Sequence, residues 1–166
     1  MSDLKTLMTR GPRLTLAVAE RLTCCRLQAR IGMISGASEF FLGGVTAYSL
    51  EQKVALLGVD RAAAKAVNCV SAAVAEQMAR GACTLFGSDL GAATTGYAEP
   101  ASDGSVAVPF AWWAVARRAE DGAFSVTSST ALFPGLSRTE VQERVALLAY
   151  EALLGLLRAT AAGCTT

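Results

Sequence analysis

The sequence predicts an α/β fold in which helices cover a mixed sheet of about five strands. Three observations carry the prediction. In the first half of the chain, short apolar runs bounded by glycine, proline or charge alternate with stretches of helical spacing. Later, two apolar runs flank Glu120-Asp121-Gly122 and read as a hairpin. A long amphipathic segment then closes the chain. Helices that separate the early strands favour parallel pairing and a hairpin requires antiparallel pairing, so the sheet is mixed.

Each element has a local reason. Residues 1–12 form an N-terminal helix or arm. Leu14 to Ala19 follows Gly11-Pro12 and is short and apolar, as a buried strand is. Arg21 to Ile31 places Leu22, Cys25 and Gln28 or Ala29 along a helix face. Gly43 to Tyr48 reads as the second strand, and Leu50 to Leu57 as a short helix stopped by Gly58. Asp60 caps another short helix, and Ser71 starts a longer one that ends at Gly87. Strands follow at Asp89 to Thr95, Phe110 to Ala116 and Phe124 to Thr130. Trp112 and Trp113 fall on adjacent strand positions and so face opposite sides. Ser137 and Glu140 have capping-box spacing, and Val141, Val145, Leu148, Ala149, Ala152 and Leu156 form the inward stripe of a helix running to Thr160. The last residues, 161–166, read as a loose tail.

Composition removes several functional classes. The 166 residues suit one domain, with neither linker nor repeat. Lysine plus arginine is 15 against 14 for aspartate plus glutamate, a charge of +1 that offers no footprint for nucleic acid or an anionic membrane. Hydrophobic residues make up 52% of the chain, yet charges or glycines interrupt every run short of a membrane span. The N-terminal MSDLKTLMTRGPR lacks a signal-peptide core, so a cytoplasmic location is expected. The five cysteines, at 24, 25, 69, 83 and 164, include no C-x-x-C pair, and the chain has no histidine. Neither a zinc site nor a disulfide framework follows, and no metal or cofactor is expected.

The absence of histidine also restricts the chemistry. General base catalysis falls to lysine, tyrosine, carboxylate or cysteine, and the first two serve only when burial or a neighbouring cation lowers their pKa. Tyr48 and Lys53 stand five apart where a strand enters a helix. They are the candidates, although a half-buried aromatic and a solvated lysine would have the same spacing.

Several segments together resemble the CinA C-terminal domain family, whose characterised members include nicotinamide-nucleotide amidases. They are LTLAVAERLT at 14–23, SGASEFFLGGVTAYSLEQKVALLGV at 35–59, CVSAAVAEQMARGA at 69–82, ATTGYAEP at 93–100, and FPG before the terminal helix. The resemblance implies a three-layer α/β/α sandwich, a homo-oligomer, and hydrolysis of the carboxamide of nicotinamide mononucleotide to the acid. Its catalytic logic is acyl transfer: a serine attacks the amide carbon, a lysine and a tyrosine move its proton, and backbone NH groups hold the oxyanion. Tyr48 and Lys53 match the tyrosine and lysine of that machinery. Thr23, Ser71, Thr95, Gly96 and Glu99 fall in segments that resemble the family's ligand-binding loops.

The serine is missing from this pattern. Alignment on Ala19-Glu20 and Thr23 puts Arg21 at the nucleophile position and Cys24-Cys25 on two glycines. Arginine stays protonated and cannot take the serine's role. Glu99 and Pro109 also stand where glycine is more usual, although ATTGYAEP with NCVS resembles a subgroup in which Glu99 is a shared feature. Two readings of Arg21 follow. Either the site is chemically dead and the side chain fills the pocket, paired with Glu20 or Glu99, or Arg21 contacts the phosphate or carboxylate of a different ligand. Cys24 and Cys25 lie about one helical turn, roughly 5 Å, past the serine position, which disfavours them as replacement nucleophiles. The readings that remain are an impaired amidase that keeps nucleotide binding, an active amidohydrolase with a remodelled site, and a purely structural oligomer.

Overall fold

The computed structural model describes residues 3–162; Met1, Ser2 and most of the expected tail, 163–166, lie outside the described residues. The arm contains α1 (Asp3–Thr9), which buries Leu4 and Met8. The strands are β1 (Leu16–Glu20), β2 (Phe41–Thr46), β3 (Leu90–Tyr97), β4 (Phe110–Arg118) and β5 (Phe124–Leu132). The remaining helices are α2 (Arg26–Gly32), α3 (Leu50–Leu57), α4 (Arg61–Ala66), α5 (Ala72–Phe86) and α6 (Arg138–Ala162), with a 3-10 turn at Ala37–Glu39.

The sheet order is β2-β1-β3-β4-β5, with β1 parallel to both neighbours and β3, β4 and β5 antiparallel in succession. From β1 the chain steps to β2 on one side, then crosses back to β3 on the other. Right-handed crossovers in opposite directions put their helices on opposite faces. Strand alternation matches this. Leu16 and Val18 of β1 pack with α1, α2 and α6, whereas Ala17 and Ala19 pack against the α3–α5 layer. Trp113 and Trp112 divide in the same way between the two layers. The result is the mixed five-stranded α/β/α sandwich.

Small residues let the second layer sit close. A Cβ on Gly91 of β3 would lie 2.1 Å from the Ala79 carbonyl oxygen of α5, and one on Gly81 of α5 would lie 2.2 Å from that of Leu57 in α3. The first layer is built from larger side chains, each worth about 1.5–3 kcal/mol when fully buried; Phe40, Leu27, Ile31 and Leu153 are all fully buried there. Asp89 pins the entry to the central strands, accepting hydrogen bonds from Thr15 N at 2.7 Å and Thr15 Oγ1 at 2.6 Å.

Two expectations need correction. The segment from Arg21 does not enter a helix directly: α2 begins at Arg26, after a turn in which Cys24 and Cys25 have φ of 45° and 69°. Left-handed residues cannot continue a right-handed helix. The inward stripe of α6 also runs differently from Leu148 onward, because Leu153 and Leu157 are buried while Leu148, Ala152 and Leu156 are only partly so. Positions 141, 145, 149, 153 and 157 form one row at four-residue spacing, which is the ridge α6 lays on the sheet.

Candidate functional site

The carboxyl ends of β1, β2 and β3 open on one side of the sheet, where the connections that follow β1 and β2 leave toward opposite faces. Open α/β sheets place their ligand crevices at such a switch point. A cleft of about 520 Å³ lies there, lined by Arg21 just after β1, Tyr48 just after β2, and Gly96, Tyr97 and Glu99 at and beyond the end of β3. Asn68, the loop residues Ser102, Asp103 and Ser105, and Arg138 of α6 also line it.

Arg21 occupies the mouth between two aromatic rings. Its guanidinium carbon lies 5.6 Å from the ring centroid of Tyr48 and 5.6 Å from that of Tyr97. Such contacts favour a cation electrostatically, most where water is excluded. A terminal nitrogen of Arg21 also donates to the Gly96 carbonyl oxygen, while its Nε is buried with no hydrogen-bond partner. The expected ion pairs of Arg21 with Glu20 or Glu99 are not formed. Glu20 is wholly buried and accepts from Thr23 Oγ1 at 2.5 Å, Leu27 N at 3.2 Å and Gln28 N at 2.9 Å. These NH groups belong to the first turn of α2, so the carboxylate answers the positive end of that helix. Glu99 is paired with Arg138 at 2.5 Å.

Lys53 stands behind this wall. Fully buried, its Nζ donates to the carbonyl oxygens of Ala47 at 2.7 Å and Tyr48 at 3.1 Å. Burial and, after it, the nearby Arg21 charge lower its pKa to about 8, against a smaller opposing effect of Cys69. Ala47 N in turn donates to the Glu20 carbonyl at 2.9 Å, so the ends of β1, β2 and α3 are tied together.

The other expected ligand residues divide between wall and support. Gly96 and Glu99 line the cleft with Tyr48 and Arg21. Thr23 is buried, its hydroxyl shared between Glu20 and Thr94 Oγ1 at 2.7 Å. Thr95 is also buried and donates to the Cys69 carbonyl at 2.7 Å, holding the loop that carries Asn68. Ser71 caps α5 by accepting from Val74 N at 3.2 Å. Cys24 Sγ meets the Arg21 carbonyl and Cys25 Sγ the Thr46 hydroxyl, each at 3.2 Å, and neither thiol is part of the cleft lining.

Among the wall residues that sequence reasoning missed, Asn68, Tyr97 and Arg138 make the contacts that shape the cleft. Asn68 Nδ2 donates to the Tyr97 hydroxyl at 2.5 Å from a left-handed backbone, φ 48°, that asparagine tolerates. Tyr97 lay inside a quoted motif with no role attached to it. Arg138 donates to the Tyr48 hydroxyl at 3.3 Å as well as to Glu99. One signal was available for it: a cation in the first turn of a helix opposes the macrodipole, so a compensating reason is expected.

Comparison with known proteins agrees with this architecture. Residues 3–157 match the family model described as the CinA C-terminal domain. A CinA-like protein of Mycobacterium tuberculosis is 38% identical over 148 residues, 89% of this chain and 33% of that protein. One from Mycolicibacterium gilvum is 39% identical over 139 residues, 84% of this chain and 32% of that protein. The chain thus spans about a third of the length of these curated relatives. Among solved structures, the competence or damage-inducible protein from Enterobacter asburiae superposes with a TM-score of 0.81 at 26% identity, covering 94% of both chains. The competence damage-inducible protein A from Klebsiella pneumoniae does so with 0.78 at 29% identity, covering 93% of this chain and 91% of that one. By sequence match over nearly its whole length and by the sandwich it forms, the chain belongs to the CinA C-terminal domain family.

Proposed function

We propose that this protein binds a nucleotide-like small molecule, of the kind of nicotinamide mononucleotide, and has lost or greatly reduced the ability to hydrolyse its amide. The observation that carries the reading is the guanidinium of Arg21, held between Tyr48 and Tyr97 in the wall of the cleft. Resemblance puts the attacking serine at this position. A permanent cation there supplies no nucleophile and takes up the space in which the amide carbon would be attacked. Tyr48 stays in the wall and Lys53 behind it, remnants of a proton shuttle without the hydroxyl it served.

One observation favours a second reading, a working amidohydrolase with a remodelled site. A lysine whose pKa is about 8 can accept a proton near neutrality. Ammonia release from nicotinamide mononucleotide separates the two. The impaired reading expects no turnover above background, and turnover abolished by Lys53→Ala would overturn it. Arg21→Ser is expected to raise the rate if the rest of the machinery is intact. A purely structural oligomer is the third reading; saturable thermal stabilisation by the mononucleotide or its acid argues against it. Homo-oligomerisation and a cytoplasmic location belong to the proposal as well. No helix among the described residues is long and apolar enough to cross a membrane.

A further inference from the structure

We infer that Arg21 is a carboxylate receptor: the cleft selects a ligand bearing a planar carboxylate over the same ligand bearing the neutral carboxamide. This rests on the ligand-binding reading above and names the chemistry that the cleft recognises. Four charged side chains line the cleft, namely Arg21, Arg138, Glu99 and Asp103. Glu99 is spent on Arg138. Asp103 is turned onto its own loop, accepting from Ser105 N at 2.9 Å and Ser105 Oγ at 2.6 Å. Glu20, the acidic neighbour in sequence, is buried and committed to Thr23 and α2. Arg21 therefore lines the cleft as a cation with no carboxylate partner.

Its hydrogen bonding is also incomplete. A guanidinium carries five donors and no acceptor. Here one terminal nitrogen meets the Gly96 carbonyl, and Nε is buried without a partner. A donor left without a partner is costly, so an oxyanion that reaches the guanidinium meets hydrogen-bonding capacity that the protein leaves unused. The two tyrosine rings, each 5.6 Å from the guanidinium carbon, favour the cation at this place in the wall.

The same geometry disfavours the amide. A carboxylate presents two acceptors to the planar fork, whereas a carboxamide presents one oxygen and sets its own NH2 donors against a group that only donates. One uncompensated cation in the wall also matches the single negative charge of a carboxylate better than a phosphate dianion.

The test is calorimetric titration of the whole protein with nicotinate mononucleotide and with nicotinamide mononucleotide, which differ only in this group. The acid is expected to bind at least tenfold more tightly. Arg21→Gln is expected to remove most of that preference and Arg21→Lys to keep part of it, with circular dichroism checking that each variant folds. Equal binding of both ligands by the unmodified protein overturns the inference while leaving the ligand-binding reading standing. A preference that survives in folded Arg21→Gln does the same. Loss of the preference in inorganic phosphate but not in chloride of the same ionic strength shows that the guanidinium takes a tetrahedral oxyanion instead, which also overturns it. Binding of neither mononucleotide defeats both readings together.

Discussion

Lys53 Nζ donates to the Ala47 carbonyl oxygen at 2.7 Å, so a buried ammonium clasps the connection between β2 and α3. Whatever its part in chemistry, that charge has a stability cost. Its folded pKa is about 8, below the ordinary lysine value of 10.5. Below about pH 8 both folded and unfolded states hold the proton and the group adds no pH dependence. Between the two values the folded state has released it and the unfolded state has not, so stability rises with pH. The gain is at most about 3 kcal/mol. Urea denaturation from about pH 7 to pH 10 should therefore show a rising contribution in the native protein that Lys53→Met lacks. Identical slopes for the two would refute the assignment.

Cys25 precedes α2 with φ of 69°, in a region that costs a residue with a Cβ about 1–2 kcal/mol. Its thiol contact with Thr46 is exposed and contributes little. Cys25→Gly should stabilise the protein by roughly 0.5–1 kcal/mol after the entropy that glycine adds to the unfolded chain. A neutral or lower melting temperature would mean that the thiol contact outweighs the backbone strain.

Gly91 makes the opposite case. Its missing Cβ leaves room for the Ala79 carbonyl, 2.1 Å from where that carbon would lie. Gly91→Ala should cost about 1–3 kcal/mol, because α5 must move off the sheet. Chemical denaturation reads this directly, and a loss below a few tenths of a kcal/mol would show that the layer yields more easily than the packing implies.

Glu99 and Arg138 form an exposed pair, with 58% and 44% of their side-chain surfaces accessible. Glu99→Gln should change stability by no more than about 0.5 kcal/mol. Its effect should appear in binding: with Arg138 released, affinity for nicotinate mononucleotide is expected to rise roughly threefold to tenfold at low salt and to fall back as salt is added. Unchanged affinity would indicate that Arg138 does not face the bound anion.

The layers and most elements were legible in the sequence because their signals are local. Asp60 and Ser71 each cap the helix that follows them, and Gly58 and Gly87 end helices in left-handed conformations. Glu140 Oε2 accepts from Ser137 N at 2.8 Å, as the capping box requires. What could not be read was local structure imposed by distant partners. Cys24 and Cys25 carry no preference for the left-handed region, so their sequence reads as helix; the turn they form is held by Glu20, whose carboxylate reaches forward to Leu27 and Gln28. The site was legible in the same uneven way. Tyr48, Gly96 and Glu99 came through motifs and do line the cleft, whereas Arg138 enters it from far along the chain and only the tertiary fold brings it near. Thr23 and Thr95 also came through motifs but are buried: the Thr23 hydroxyl closes on Glu20 and Thr94 in the turn after β1, and that of Thr95 reaches the Cys69 carbonyl.

Helix α6 contributes Arg138 to the cleft at one end and Leu153 and Leu157 to the core further along. A rigid helix has a single rotational phase, and each residue of slippage turns every side chain by about 100°. The phase that seats the four-residue ridge on the sheet is therefore the one that aims Arg138 at Tyr48. Core packing and cleft geometry share one degree of freedom, and a single residue inserted within α6 just after Arg138 would force the protein to give up one of them.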